Sequence, residues 1–118
     1  TIHALGHLGA MEGVGTTLAN LEDAVKGETY EYTEMYPPMT AQAEAEGHRA
    51  KVMFRFAMRA EAVHARLFQL ALEAVKAGVD LAEVEFYVCP ICGDIEMGKP
   101  GERCPICGAP AERFEKVT

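Results

Sequence analysis

All four cysteines of the chain fall in two copies of one short motif, Cys89-Pro90-Ile91-Cys92-Gly93 and Cys104-Pro105-Ile106-Cys107-Gly108. Two C-x-x-C pairs with eleven residues between them bring four thiolates to the corners of one tetrahedron, a closed mononuclear metal site. Zinc and iron both take such a cage, and on the knuckles alone zinc is the commoner occupant. The glycine after each second cysteine suits a tight turn with positive φ, whose backbone N–H groups point at sulfur. A disulfide framework is the other reading of four cysteines, but nothing else in the chain marks a small secreted scaffold.

A second set of chemically capable residues lies at helical spacing. Leu21, Val25, Glu28, Tyr32, Met35 and Met39 recur every three or four residues and form one stripe, with Glu28 in its middle and Glu31 one turn on. Phe54, Ala57, Glu61, His64, Phe68, Ala71 and Val75 form another, and Glu61 and His64 sit within it at i, i+3. Lys51, Arg55, Arg59 and Arg66 occupy the opposite, solvent face of the second helix. Carboxylates buried in an apolar stripe are costly unless a cation neutralises them, and no Lys or Arg on the stripes is placed to do so. Oxygen donors with an imidazole suit iron or manganese. One Glu helix and one Glu-x-x-His helix make half the donor set of a carboxylate-bridged dimetal bundle. The competing reading rotates the stripes so that these groups sit at the boundary. His3 stands where the His of a second Glu-x-x-His would lie. His7 and His48 read as surface residues, and Met11, Met53 and Met58 as core fillers.

These residues need elements to hold them. Residues 1–11 read as the tail of a helix, broken at Gly13-Val14-Gly15. Thr16 or Thr17 caps a helix running to about Glu46, kinked at Pro37-Pro38 and stopped by Gly47. A further helix runs from His48 to Ala77 and ends at Gly78. An acidic linker, 78–85, leads to the cysteine module, with strands at Phe86–Val88 and Arg113–Glu115. The expected fold is mainly α: half of a four-helix bundle over residues 1–80, then a small metal-binding β module over residues 81–118. Composition bounds the function. A chain of 118 residues with net charge −7 has no basic footprint for nucleic acid or anionic membrane. No apolar run is long enough to span a bilayer, and no signal peptide is expected, since the first residues lack a basic region and a long apolar core. With metal-type cysteines, a reducing cytoplasm is expected.

Taken together, the motifs resemble those of the rubrerythrin family. Gly27-Glu28-Thr29-Tyr30-Glu31-Tyr32-Thr33-Glu34-Met35-Tyr36-Pro37 is similar to that family's third-helix motif, Ala60-Glu61-Ala62-Val63-His64 to its fourth-helix Glu-x-x-His, and Phe86 to Phe114 to its short-spacer rubredoxin-like module. The resemblance implies half of a ferritin-like diiron bundle followed by an Fe(Cys)4 centre. It implies that Glu28, Glu61 and His64 bind iron, with Glu61 bridging both ions. It implies that Glu31 and His3 exchange as ligands when the redox state changes, and that Tyr36 stands beside the site. Cys89, Cys92, Cys104 and Cys107 become the iron ligands of the relay, with zinc as a possible substitute. The implied activity is reduction of hydrogen peroxide to water in oxidative stress defence. Its electrons would come from an external donor, rubredoxin or a reductase, in a homodimer whose Cys centre serves the other subunit's diiron site.

The chain departs from that family pattern in lacking the first helix and most of the second, with their Glu ligands. A second chain, a separate N-terminal piece or helix exchange between subunits is expected to supply them, and the enzyme is expected to be active only with them. Two rival functions fit the same residues: a ferritin-like ferroxidase or iron-handling protein, and a non-enzymatic zinc ribbon that binds a partner.

Overall fold

The computed structural model describes residues 2–117. Helix α1 spans Ile2–Ala10 and leaves all its residues exposed, packing on none of the other elements. Helix α2 begins at Thr17, where the Thr16 hydroxyl accepts from the Ala19 amide at 3.2 Å and satisfies one free N–H of the first turn. It runs to Tyr30 and passes into a π-helical turn, Glu31–Met35, and then into α3, Tyr36–Ala45. Gly47, at φ 63°, ends this rod. Helix α4, Ala50–Lys76, returns alongside it, and Gly78 at φ 73° stops it. The two arms run antiparallel: Lys76 near the end of α4 reaches Glu22 near the start of α2 at 3.2 Å, and Arg55 meets Glu44 at the other end at 3.8 Å.

The prolines do not kink the rod where they stand. Pro37 and Pro38 open α3, and the irregularity lies one turn earlier. Proline lacks an N–H and its ring clashes with the carbonyl four residues back. The wider π turn opens that region: the Tyr36 amide bonds to Glu31, five residues back. Thr33 helps by donating its hydroxyl to the Thr29 carbonyl at 2.7 Å. The turn inserts one residue into the helical count. The buried stripe therefore moves from Met35 and Met39 to Tyr36, Thr40 and Ala43; Met39 is exposed whereas Thr40 and Ala43 are buried.

After the linker comes a three-stranded antiparallel sheet in the order β2–β1–β3, with β1 at Phe86–Val88, β2 at Ile95–Met97 and β3 at Glu115–Lys116. Strand β2 is too short to show a period in the sequence. It forms because the first knuckle folds the chain back, pairing Val88 with Ile95. The third strand falls at 115–116, because 111–113 form a 3-10 turn. Among the described residues no helix is long and apolar enough to cross a membrane.

Candidate metal centres

The knuckles are built alike. In the first, the Cys89 amide donates to Asp94 O at 2.8 Å and the Gly93 amide to Cys89 O at 2.9 Å. In the second, the Cys104 amide donates to Ala109 O at 2.7 Å and the Gly108 amide to Cys104 O at 2.9 Å. Gly93 and Gly108 take φ of 83° and 77°, which only glycine adopts without strain. The four sulfurs converge, with Cys89–Cys107 at 3.6 Å and Cys92–Cys104 at 3.5 Å, and all four cysteines are free. A disulfide would need about 2.05 Å. A tetrahedron with bonds of about 2.3 Å has edges of roughly 3.8 Å, so the thiols fit a single ion. Burial pushes Cys104 up to about 11 and Cys92 higher still. Burial also acts on Cys89, but the backbone N–H groups of Ile91 and Cys92 outweigh it and hold that thiol below its ordinary value. A bound cation relieves the cost of gathering four thiolates here. Asp94, which the sequence did not single out, is almost wholly buried against them, with Cys104 Sγ donating to its Oδ2 at 3.4 Å.

The second centre sits between α2 and α4. Ligand atoms of Glu28, Glu61 and His64 lie within 4.8 Å of one another. His64 Nδ1 is 2.7 Å from Glu61 Oε2 and 3.5 Å from Glu28 Oε2, with these side chains only 16–21% exposed. Glu28 Oε2 is buried without a hydrogen-bond partner. Burial first, then the neighbouring Glu61, raises the pKa of Glu28. An orphaned carboxylate oxygen beside a second carboxylate and an imidazole nitrogen fits a hard cation. Tyr36 stands close enough that burial, then the charges of Glu61, Glu31 and Glu28, raise its phenol. Glu31 is half-buried in the π turn, outside the converging trio. His3 is exposed on α1, away from these donors. A cleft of about 440 Å³ opens on the pair, lined by Glu28, His64 and apolar groups including Leu67, Phe68 and Phe86.

The two centres touch. The cysteine module packs on a part of α4 that neither stripe included: Ala60, with Phe56 and Val63 beside it, lies in one cluster with Cys89, Cys92 and Cys104, while Arg55, Arg59 and Arg66 stay exposed. His64 Nε2 lies 2.8 Å from the Gly93 carbonyl. A carbonyl only accepts, so Nε2 carries the hydrogen.

A family model for rubrerythrin matches residues 3–72, and one for the rubrerythrin rubredoxin-like domain matches residues 87–115. Rubrerythrin-2 of Clostridium acetobutylicum is 36% identical over 108 residues, covering 91% of this chain and 59% of that protein. Nigerythrin of Nitratidesulfovibrio vulgaris is 40% identical over 96 residues, covering 80% and 46%. Among solved structures, nigerythrin in a mixed-valent state superposes with a TM-score of 0.79 at 36% identity, over 87% of this chain and 50% of that one. Nigerythrin in its fully reduced, all-ferrous state gives 0.79 at 35% identity, over 88% and 50%. The chain spans about half the length of the curated relatives it matches.

Proposed function

The chain belongs to the rubrerythrin family, and from that premise we propose that it works as a non-haem diiron peroxidase, reducing hydrogen peroxide to water with electrons relayed by an Fe(Cys)4 centre. The observation that carries this reading is the double contact of one imidazole. His64 faces Glu61 at 2.7 Å through Nδ1 and the Gly93 carbonyl at 2.8 Å through Nε2. One side chain thus adjoins both the carboxylate centre and the residue that follows Cys92. A zinc ribbon serving only as a docking module, or a storage protein with an accessory tail, gives no reason for that junction.

Each residue has a part. Glu28 and Glu61 offer the negative charge that holds two cations, with Glu61 proposed as the bridge. The Gly93 carbonyl fixes the Nε2–H tautomer of His64 and so leaves the Nδ1 lone pair free to bind metal. Glu31, in the looser π turn, and His3 are proposed as the ligands that exchange. Tyr36 keeps its proton, because burial and three carboxylates oppose its ionisation, and it can hand a hydrogen bond to a ligand carboxylate. Peroxide requires two electrons and two protons to yield two waters, and an iron pair held by Glu28, Glu61 and His64 with the further ligands would supply the two electrons. The apolar cleft beside Glu28 and His64 admits a small substrate while limiting bulk water. The Cys cage changes by one electron at a time, so two deliveries match one turnover.

Residues 1–80 then form half of the diiron bundle and 81–118 the relay. The trio offers two carboxylates and one imidazole, half of a full dimetal set. The exposed Ile2, Leu5, Val52, Met53 and Phe68 mark helical faces that further helices would cover, from a second copy or another chain. An external rubredoxin or reductase would supply the electrons.

Anaerobic loading with ferrous iron tests the proposal through metal analysis, absorption and peroxide consumption with a reduced donor. Red ferric Cys-site absorption with peroxide-dependent oxidation of the donor is expected. Iron uptake without peroxide consumption would indicate iron handling, and a colourless zinc protein inert to peroxide a binding module.

A further inference from the structure

Arg59 stands at the rim of the contact between α4 and the cysteine module. Its two terminal nitrogens donate to consecutive carbonyls, Nη1 to Ile106 O at 3.0 Å and Nη2 to Pro105 O at 2.7 Å. Both carbonyls lie in the turn between Cys104 and Cys107, and the bonds that close this knuckle use neither of them, running instead to Cys104 O and Ala109 O. A planar guanidinium spans two adjacent acceptors where an ammonium cannot. The first knuckle is held on α4 by His64 at Gly93 and by the Ala60 methyl, which lies against Gly93. Both knuckles also pack in one apolar cluster with Phe56, Ala60 and Val63 of α4, but apolar contact is non-directional. The Arg59 pair adds a directional anchor on the second knuckle, five residues from that of His64 along the same helix.

We infer that Arg59 is a positioning residue that locks the second knuckle onto α4 and thereby holds the Gly93 carbonyl on His64. Its consequence for electron relay rests on the peroxidase reading, but the docking itself does not. A cation against the turn that carries Cys104 and Cys107 also favours the reduced, more negative state of the thiolate-bound iron, and so raises its reduction potential.

The variants are Arg59→Gln, which loses the charge, and Arg59→Lys, which keeps charge and length but not the fork. In the zinc-loaded protein, the His64 Nε2–H resonance reports docking. Its exchange with solvent is expected to quicken on the order of tenfold in both variants, the equilibrium factor for losing one charge-assisted hydrogen bond. In the iron-loaded protein, Arg59→Gln is expected to lower the Cys-site midpoint potential with its absorption unchanged, and Arg59→Lys to stay near wild type. Wild-type exchange in Arg59→Lys, the variant least disruptive to folding, overturns the inference. The peroxidase reading is judged separately, by peroxide consumption in the unsubstituted protein.

Discussion

Gly93 and Gly108 stand at the same step of two equivalent knuckles, yet their carbonyls have different partners. Gly93 O is met by His64 at 2.8 Å across the interface, whereas Gly108 O accepts from Arg103 of its own module at 3.0 Å. The duplicated motif is thus asymmetric in use. One knuckle presents its glycine carbonyl to the carboxylate centre, and the other keeps its glycine carbonyl within the module and offers the carbonyls of Pro105 and Ile106 to Arg59 instead.

Substituting either glycine by alanine should destabilise the zinc-loaded protein by about 1–2 kcal/mol, the cost of a left-handed backbone for a residue with a Cβ. Space is not the cause: a Cβ on Gly93 meets only the Ala60 methyl, at 4.0 Å, and one on Gly108 meets nothing within 4 Å. Denaturant titrations of the two variants should therefore agree. A much larger loss at Gly93 would show that the junction with α4, rather than the backbone, sets the cost.

Glu61→Ala should lose metal and peroxide turnover together. The fall should exceed the roughly 10–100-fold typical of losing an outer-shell partner, because Glu61 is proposed to hold both ions. Glu31→Ala should cost less. Metal content and initial rates on anaerobically loaded protein decide, and normal turnover without Glu61 would sink the diiron assignment.

Chelation should unfold the cysteine module and spare the helices. Its strands have three, three and two residues, too few to stand without the metal. Far-ultraviolet circular dichroism should keep its helical signal while the amides of Cys89 and Gly98, which bond to Asp94 O and Glu85 O across the hairpin, lose protection. Protons compete with metal for thiols held as high as about 11 at Cys104, so affinity should fall as pH falls. Protection that survives complete demetallation would contradict this.

Tyr36 should titrate above its ordinary value of 10.0, since burial and the charges of Glu61, Glu31 and Glu28 oppose the phenolate. With the folded value raised, the stability contributed is intact below about pH 10 and lost as pH climbs through the folded value. Ultraviolet titration of metal-free wild type against Tyr36→Phe isolates this phenol, and Glu61→Gln should bring it back toward 10. A wild-type phenol ionising at or below pH 10 would count against this packing.

The cysteine spacing and the Glu-x-x-His pattern were legible because each encodes chemistry within a few residues. The ends of the long helices were legible too, since Thr16, Gly47 and Gly78 act locally. Three features escaped because their causes are not local. Met39 fits the apolar stripe of an unbroken helix, and only the inserted π residue turns it outward in favour of Thr40. Arg59 looks like a solvent charge until a carbonyl pair from residues 105 and 106 is brought to it. Strand β2 exists only as the return limb of a knuckle. The converging donors are those whose partners lie on α2 and α4; α1 carries His3 on a helix that its own chain does not cover.

The π turn at Glu31–Met35 sets the phase of everything downstream. One surplus residue rotates α3 by about 100° relative to an unbroken helix, which is what brings Tyr36 round to the carboxylates. The chain thereby holds two angular settings in one rod, one that aims Glu28 and one that aims Tyr36. Excising a single residue such as Thr33 would merge them and leave the phenol on its present bearing, because the turn and its surplus residue would go together. Tightening the turn to an ordinary α-helix at full length would instead swing the phenol about 100° away from the site it faces. Here the spelling of the helix matters less than its count.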